Sequence, residues 1–229
     1  MKNIFIDVKY SGKIEFPIEL AKNTPKKLVI SGSIQYLDYM NDLKSFLEEN
    51  GKTVFLFQSR HGRHPGQILG CDIFPFEVEE EFDAFVYLGD GMFHPTALLF
   101  NNNKSVYIYN PMSKNVTVLD KDYLNSVLKR KKGMLAKFIE AKKVGVLVTR
   151  KPGQNQSRAV KEFRSQMEGK GKEIYVFLTD HIDVTRLEDF NFIDVWINTA
   201  CPRIVEDFKC VNLRDLQEIG YFDGKNSVF

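Results

Sequence analysis

The chain predicts an α/β fold built as two similar domains, each a mainly parallel sheet flanked by helices, the two related by internal duplication. Three observations carry this expectation. Near-continuous apolar runs alternate with amphipathic ones, the pattern of parallel strands covered on both faces. Their order repeats in the two halves of the 229 residues. Glycine-, proline- and asparagine-bearing segments fall directly after the strands, where such sheets open their binding loops. The expected division is a first domain over 1–120 and a second over 121–229, the second including a linking helix.

In chain order, NIFIDVKY reads as an extra edge strand, and KKLVISGS (26–33) as a β-branched strand ending in small polar residues. Over 36–50 the apolar Tyr36, Leu37, Met40, Leu43, Phe46 and Leu47 recur at helical spacing, and Asn50-Gly51 is a helix stop. TVFLF (53–57), FDAFVYLGDG (82–91) and SVYIYN (105–110, closed by Pro111) are three more strands. The plan then recurs. KVGVLVTR (143–150) is a strand, 157–168 a helix closed by Gly169-Lys170-Gly171, EIYVFLT (173–179) a strand, and FIDVWINTACP (192–202) the counterpart of FDAFVYLGDG. Placing Asp83 opposite Asp194 sets Asp90 opposite Cys201. Between the halves, Lys129, Arg130, Lys131 and Lys132 form a basic run, read as the solvated face of the linking helix in preference to a contact for nucleic acid or a ribosomal factor.

Composition narrows the function classes. The chain is 43% hydrophobic and 27% charged, ordinary for a globular protein, and its formal charge of +2 is too small to imply direct nucleic-acid binding. No apolar run approaches the roughly 20 residues of a membrane span, and the first residues lack a signal-peptide core. Three widely spaced cysteines argue against a disulfide framework and for a reducing compartment. The expected localisation is cytoplasmic.

Two loops stand out, HPGQILGCD with Cys71 and NTACPRI with Cys201. Each presents a cysteine from a glycine- or proline-bounded turn after a strand, and thiolates converging from distant segments suit an iron–sulfur cluster. The remaining Cys210, in FKCVNL, reads as an inert buried thiol. His61 and His64 could join the cysteines around zinc, but no CxxC or HxxxH pair supplies two ligands from one turn. A nucleophilic cysteine activated by His94 is the other local alternative. Gly89 and Gly91 lack the spacing of a dinucleotide fingerprint. His94, beside Pro95, is either a helix-capping residue or a ligand contact.

HPGQILGCD, YLGDGMFHPTAL, TRKPGQ and NTACPRI, in that order and spacing, resemble the diphthamide synthesis protein family. The opening FIDVKYSGKIEF is similar to the start of that family's second domain. The resemblance implies three α/β domains, each giving one cysteine to a 4Fe–4S cluster, with Cys71 and Cys201 as the ligands of domains two and three. It implies S-adenosylmethionine as co-substrate and transfer of its 3-amino-3-carboxypropyl group to a histidine of translation elongation factor 2. Gln67, Gly89, Asp90, His94, Gly153, Gln154 and Arg203 are then the candidates for the S-adenosylmethionine cleft, with Arg203 holding a substrate carboxylate or pairing with Glu206. Domain one has no counterpart, so a partner chain supplying it is expected, or a homodimer that shares cysteines. The alternative is a paralogue that binds S-adenosylmethionine or a nucleoside without a cluster.

Overall fold

The computed structural model describes residues 6–72, 78, 80–100, 102, 104–151 and 154–224. The chain divides into two compact units, Met1–Asn125 and Ser126–Phe229, and the boundary falls inside a long helix.

The first unit runs α1 (Ile18–Asn23), β1 (Lys27–Gly32), a 3-10 segment (Ile34–Tyr39), α2 (Met40–Glu49), β2 (Thr53–Leu56), β3 (Ala84–Leu88), α3 (Phe93–Leu99), β4 (Val106–Asn110) and β5 (Asn115–Leu119). Its sheet has the order β2-β1-β3-β4-β5, parallel except for β5. Alternation along the strands feeds both faces. Leu28, Ile30, Val86 and Leu88 pack with Leu20, Leu43 and Leu47 on one side; Val29, Phe85, Tyr87 and Ile108 pack with Ala97, Leu98 and Leu99 on the other.

The second unit continues from α4 (Lys121–Glu140) through β6 (Lys143–Thr149), α5 (Ser157–Gly169), β7 (Glu173–Thr179), α6 (Val184–Leu187), β8 (Val195–Asn198), α7 (Ile204–Asp207), β9 (Val211–Asn212) and α8 (Leu213–Glu218). Its four strands are all parallel in the order β7-β6-β8-β9. Val144, Val146, Val195 and Ile197 meet Phe138, Phe163 and Leu216 on one face; Leu147 and Trp196 meet Phe177, Phe190 and Phe208 on the other.

Both units use one strand plan, down to matching polar contacts. Lys27 N–H donates to Asp83 Oδ2 at 2.9 Å, and Lys143 N–H to Asp194 Oδ2 at 2.8 Å. The return bonds, Asp83 N–H to Lys27 O and Asp194 N–H to Lys143 O, are both 2.9 Å. Gly51 and Gly171 end α2 and α5 at φ 78° and 80°, a left-handed geometry that glycine adopts without steric cost. The next residue is a lysine in each case. Lys52 donates to Thr24 O at 2.5 Å, while Lys172 donates to Phe138 O, Ile139 O and Ala141 O, satisfying carbonyls at the end of α4.

Several expectations are corrected. Ile6–Tyr10 of the expected edge strand belong to no sheet, and residues 3–5 lie outside the described residues. Tyr10 is held by its N–H to Gln35 O and by ring packing on Tyr36 and Tyr39 instead of a ladder. The helix expected from 36 starts as 3-10 and becomes α at Met40. Lys131 is not part of a solvated face: it pairs with Asp215 at 2.9 Å and Glu218 at 2.8 Å. No described helix is long and apolar enough to cross a membrane.

Candidate functional site

In the first unit, the loop after β2 folds back to the carboxyl end of β1. Gly66 N–H donates to Phe57 O, Gly32 N–H to Gly66 O, and Ile68 N–H to Gly32 O at 2.8, 2.8 and 3.1 Å. Buried side chains close the loop from inside. Gln67 Oε1 accepts from Arg63 N–H at 2.7 Å and His64 N–H at 3.3 Å, so its carbonyl end is turned into its own loop. Asp72, 1% exposed, accepts from Leu69 N–H at 2.9 Å and from both His61 N–H, at 3.2 Å, and His61 Nδ1, at 2.7 Å. Cys71 sits between these anchors as a half-buried residue. Its other neighbour, Gly70, is buried under an aromatic ring: a Cβ there would lie 2.0 Å from Phe93 Cε1. Only a residue without a side chain lets Phe93 lie against the strand of chain that presents the thiol.

The β3 exit supplies Gly89, Asp90 and His94. Asp90 is exposed, and its Oδ1 accepts from Gly91 N–H at 2.7 Å and Asn110 Nδ2 at 2.6 Å. Gly89 is buried, and a Cβ on it would come within 2.6 Å of the Tyr87 hydroxyl. His94 does not cap α3, whose N-cap is Met92; it lies in the first turn, stacked on Tyr87 with ring centroids 6.4 Å apart. Burial, together with the nearby Tyr36 and Asp90, raises the Tyr87 hydroxyl above the ordinary tyrosine range despite the Ser33 hydroxyl beside it. Tyr87 is therefore a neutral side chain at any physiological pH.

In the second unit, β8 runs out through NTACPR. Asn198 and Asn212, facing residues in the β8–β9 register, bond side chain to side chain at 2.7 Å. Asn198 Nδ2 also donates to Cys201 O, Asn198 Oδ1 accepts from Ala200 N–H, and Asn212 Nδ2 donates to Pro202 O, at 2.8, 3.0 and 2.9 Å. Cys201 is half-buried, while Arg203, two residues on, is 3% exposed. The side chain of Glu206, its expected alternative partner, lies outside the described residues, as does Gly153. Gln154 is half-buried and donates its N–H to Lys151 O at 3.1 Å. Cys210 is 3% exposed among Leu147 and Trp196, and burial pushes its thiol up to about 12, with Asp215 adding to the shift.

The thiols thus sort by chemistry. Cys71 and Cys201 are partly exposed residues on carboxyl-edge loops, while Cys210 is buried and stays protonated. Each of the first two is by its chemistry a possible soft thiolate donor. Among the described residues, no three His, Cys, Asp or Glu side chains form a group that could hold a metal ion by themselves. The sequence reasoning missed Asp72, Asn198 and Asn212, whose importance lies in what they grip and not in their residue type.

Comparison with known proteins bears on what this arrangement serves. The model of the diphthamide synthesis protein family matches residues 1–209. The chain belongs to that family. The 2-(3-amino-3-carboxypropyl)histidine synthase of Pyrococcus horikoshii is 28% identical over 187 residues, covering 81% of this chain and 53% of the relative. That of Methanocaldococcus jannaschii is 32% identical over 179 residues, covering 73% of this chain and 51% of the relative. The chain therefore spans about half the length of the curated relatives it matches. The crystal structure of Dph2 from Pyrococcus horikoshii with a 4Fe–4S cluster superposes with a TM-score of 0.73 at 25% identity, over 88% of this chain and 59% of that one. The family's mixed α/β architecture with parallel-dominated sheets is the one this chain adopts.

Proposed function

We propose that this chain supplies two thiolates, Cys71 and Cys201, to a 4Fe–4S cluster that works in diphthamide biosynthesis. The reaction is transfer of the 3-amino-3-carboxypropyl group of S-adenosylmethionine to a histidine of translation elongation factor 2. The observation that carries this reading is the sorting of the thiols. The two on family-like loops belong to partly exposed residues, and the third is buried with its thiol at about 12. When bound, such a cluster supplies one electron to cleave the sulfonium on its aminocarboxypropyl side.

The chain's own residues have the complementary tasks. Asp72, His61 and Gln67 close the Cys71 loop, and Phe93 covers Gly70 beside it. Asp90, anchored by Asn110, is the acceptor for an ammonium group or ribose hydroxyls. His94, Gly89, Gln154 and Arg203 complete the proposed S-adenosylmethionine cleft, with Gly153 in the same role. Two cysteines leave a cubane short of protein ligands, so the reading includes a partner chain that supplies another thiolate.

Anaerobic iron–sulfur reconstitution of the chain, alone and with a separate chain carrying only the family's first domain, tests this by visible absorbance, iron content and electron paramagnetic resonance. The expected result is a 4Fe–4S signal that responds to S-adenosylmethionine and is lost in Cys71→Ala and Cys201→Ala. No cluster under either condition overturns the reading. Calorimetric heat from S-adenosylmethionine on the metal-free chain would then favour a binding protein without radical chemistry.

A further inference from the structure

We propose that Asn198 and Asn212 are positioning residues that set the pose of the Cys201 thiol, an inference that rests on reading Cys201 as a cluster ligand. The two asparagines occupy the last positions of adjacent parallel strands, β8 and β9, and are 2% and 8% exposed. In a doubly covered sheet, buried amides at these positions are costly unless every polar atom has a partner. Here they are spent on one short stretch of chain. Asn198 holds the Ala200 N–H and the Cys201 carbonyl, and Asn212 holds the Pro202 carbonyl. The side-chain bond between them, 2.7 Å, joins the two grips into one unit. The backbone is thus fixed before, at and after the cysteine, and none of these bonds uses the thiol.

The arrangement exceeds what ending a strand requires. Ile204 N–H already bonds to Cys201 O at 3.1 Å, closing the turn into α7 through the backbone alone. The asparagines add a link from the turn to two sheet strands, so the thiol inherits the rigidity of the sheet. A ligand held in this way loses little freedom when it binds. Neither asparagine touches the sulfur, so both act through the backbone.

The test compares the two accessible thiols within one chain. Metal-free, reduced protein is labelled with iodoacetamide at pH 8, and the rates at Cys201 and Cys71 are followed by peptide mass spectrometry. In Asn212→Leu, which removes the Pro202 and Asn198 bonds at similar volume, the Cys201 to Cys71 rate ratio is expected to rise at least threefold. The reconstituted cluster of this variant should also show a broadened or shifted paramagnetic signal. A smaller change of the ratio in a folded variant overturns the proposal. If circular dichroism shows that Asn212→Leu does not fold, Asn212→Asp decides by the same criterion, since it keeps the acceptor for Asn198 and loses the donor to Pro202. Absence of a cluster in the unsubstituted chain, both alone and with its partner, defeats the functional reading separately and leaves the labelling ratio to judge the asparagines.

Discussion

Burial separates three chemically identical thiols into two roles, and the consequence is measurable in stability as well as reactivity. Cys210 packs beside Leu147 and Trp196, and desolvation, assisted by Asp215, holds its thiol near 12. Its folded pKa lies above the unfolded value of about 9. The protonated native form is therefore fully stabilised below about pH 9, and stability is lost as pH rises towards the folded value. Between those limits the native chain carries one proton more than the unfolded chain, a loss of roughly 1.4 kcal/mol for each pH unit. Cys210→Ala removes this dependence. Denaturant titrations at pH 8 and pH 10 should show a smaller stability loss in the variant than in the parent, by about 1 kcal/mol. An equal loss in both would mean that the thiol titrates normally.

At the scale of elements, the strongly periodic segments are legible in the sequence and the short ones are not. β1, β6 and α5 lie where apolar periodicity places them, because each buries a continuous stripe against a core, and β7 lies where its apolar run places it although Ile174 is its one buried residue. α1, α6, α7 and α8 are four to six residues long, too short to display a helical repeat, and form through packing and local capping. β5 escaped notice because NVTVL is largely exposed and adds antiparallel to an edge through the turn at Pro111–Lys114. The cysteine loops were readable from their residue types, but the Asn198–Asn212 bond joins positions 14 apart, and no local pattern marks it. Register also shows which glycine the second sheet depends on. Gly145 faces Trp196 across β6 and β8, and a Cβ there would lie 2.5 Å from the indole. Gly145→Ala should cost about 1–3 kcal/mol by overpacking. Trp196 is the chain's single tryptophan, so its emission should shift in the folded variant, and unchanged emission with unchanged stability would refute this account.

For the molecule as a whole, the decisive quantity is how many thiolates one chain can offer. Each unit has its own core on both faces of its own sheet, and each presents one half-buried cysteine from a carboxyl-edge loop. The third cysteine is spent on packing, where ionisation is disfavoured at neutral pH. A disulfide-exchange reagent at pH 8 should therefore titrate two thiols per native chain and a third only after denaturation, out of the three that the sequence contains. Three thiols reacting in the native state would mean that the Cys210 environment opens readily. One would mean that Cys71 or Cys201 is shielded. The expected value of two also bounds the proposed chemistry. A chain offering two thiolates completes a three-cysteine cluster only by recruiting a further ligand. Adding a ligand-supplying partner should then raise the iron bound per chain, while the native thiol count of this chain falls by two as its cysteines engage iron.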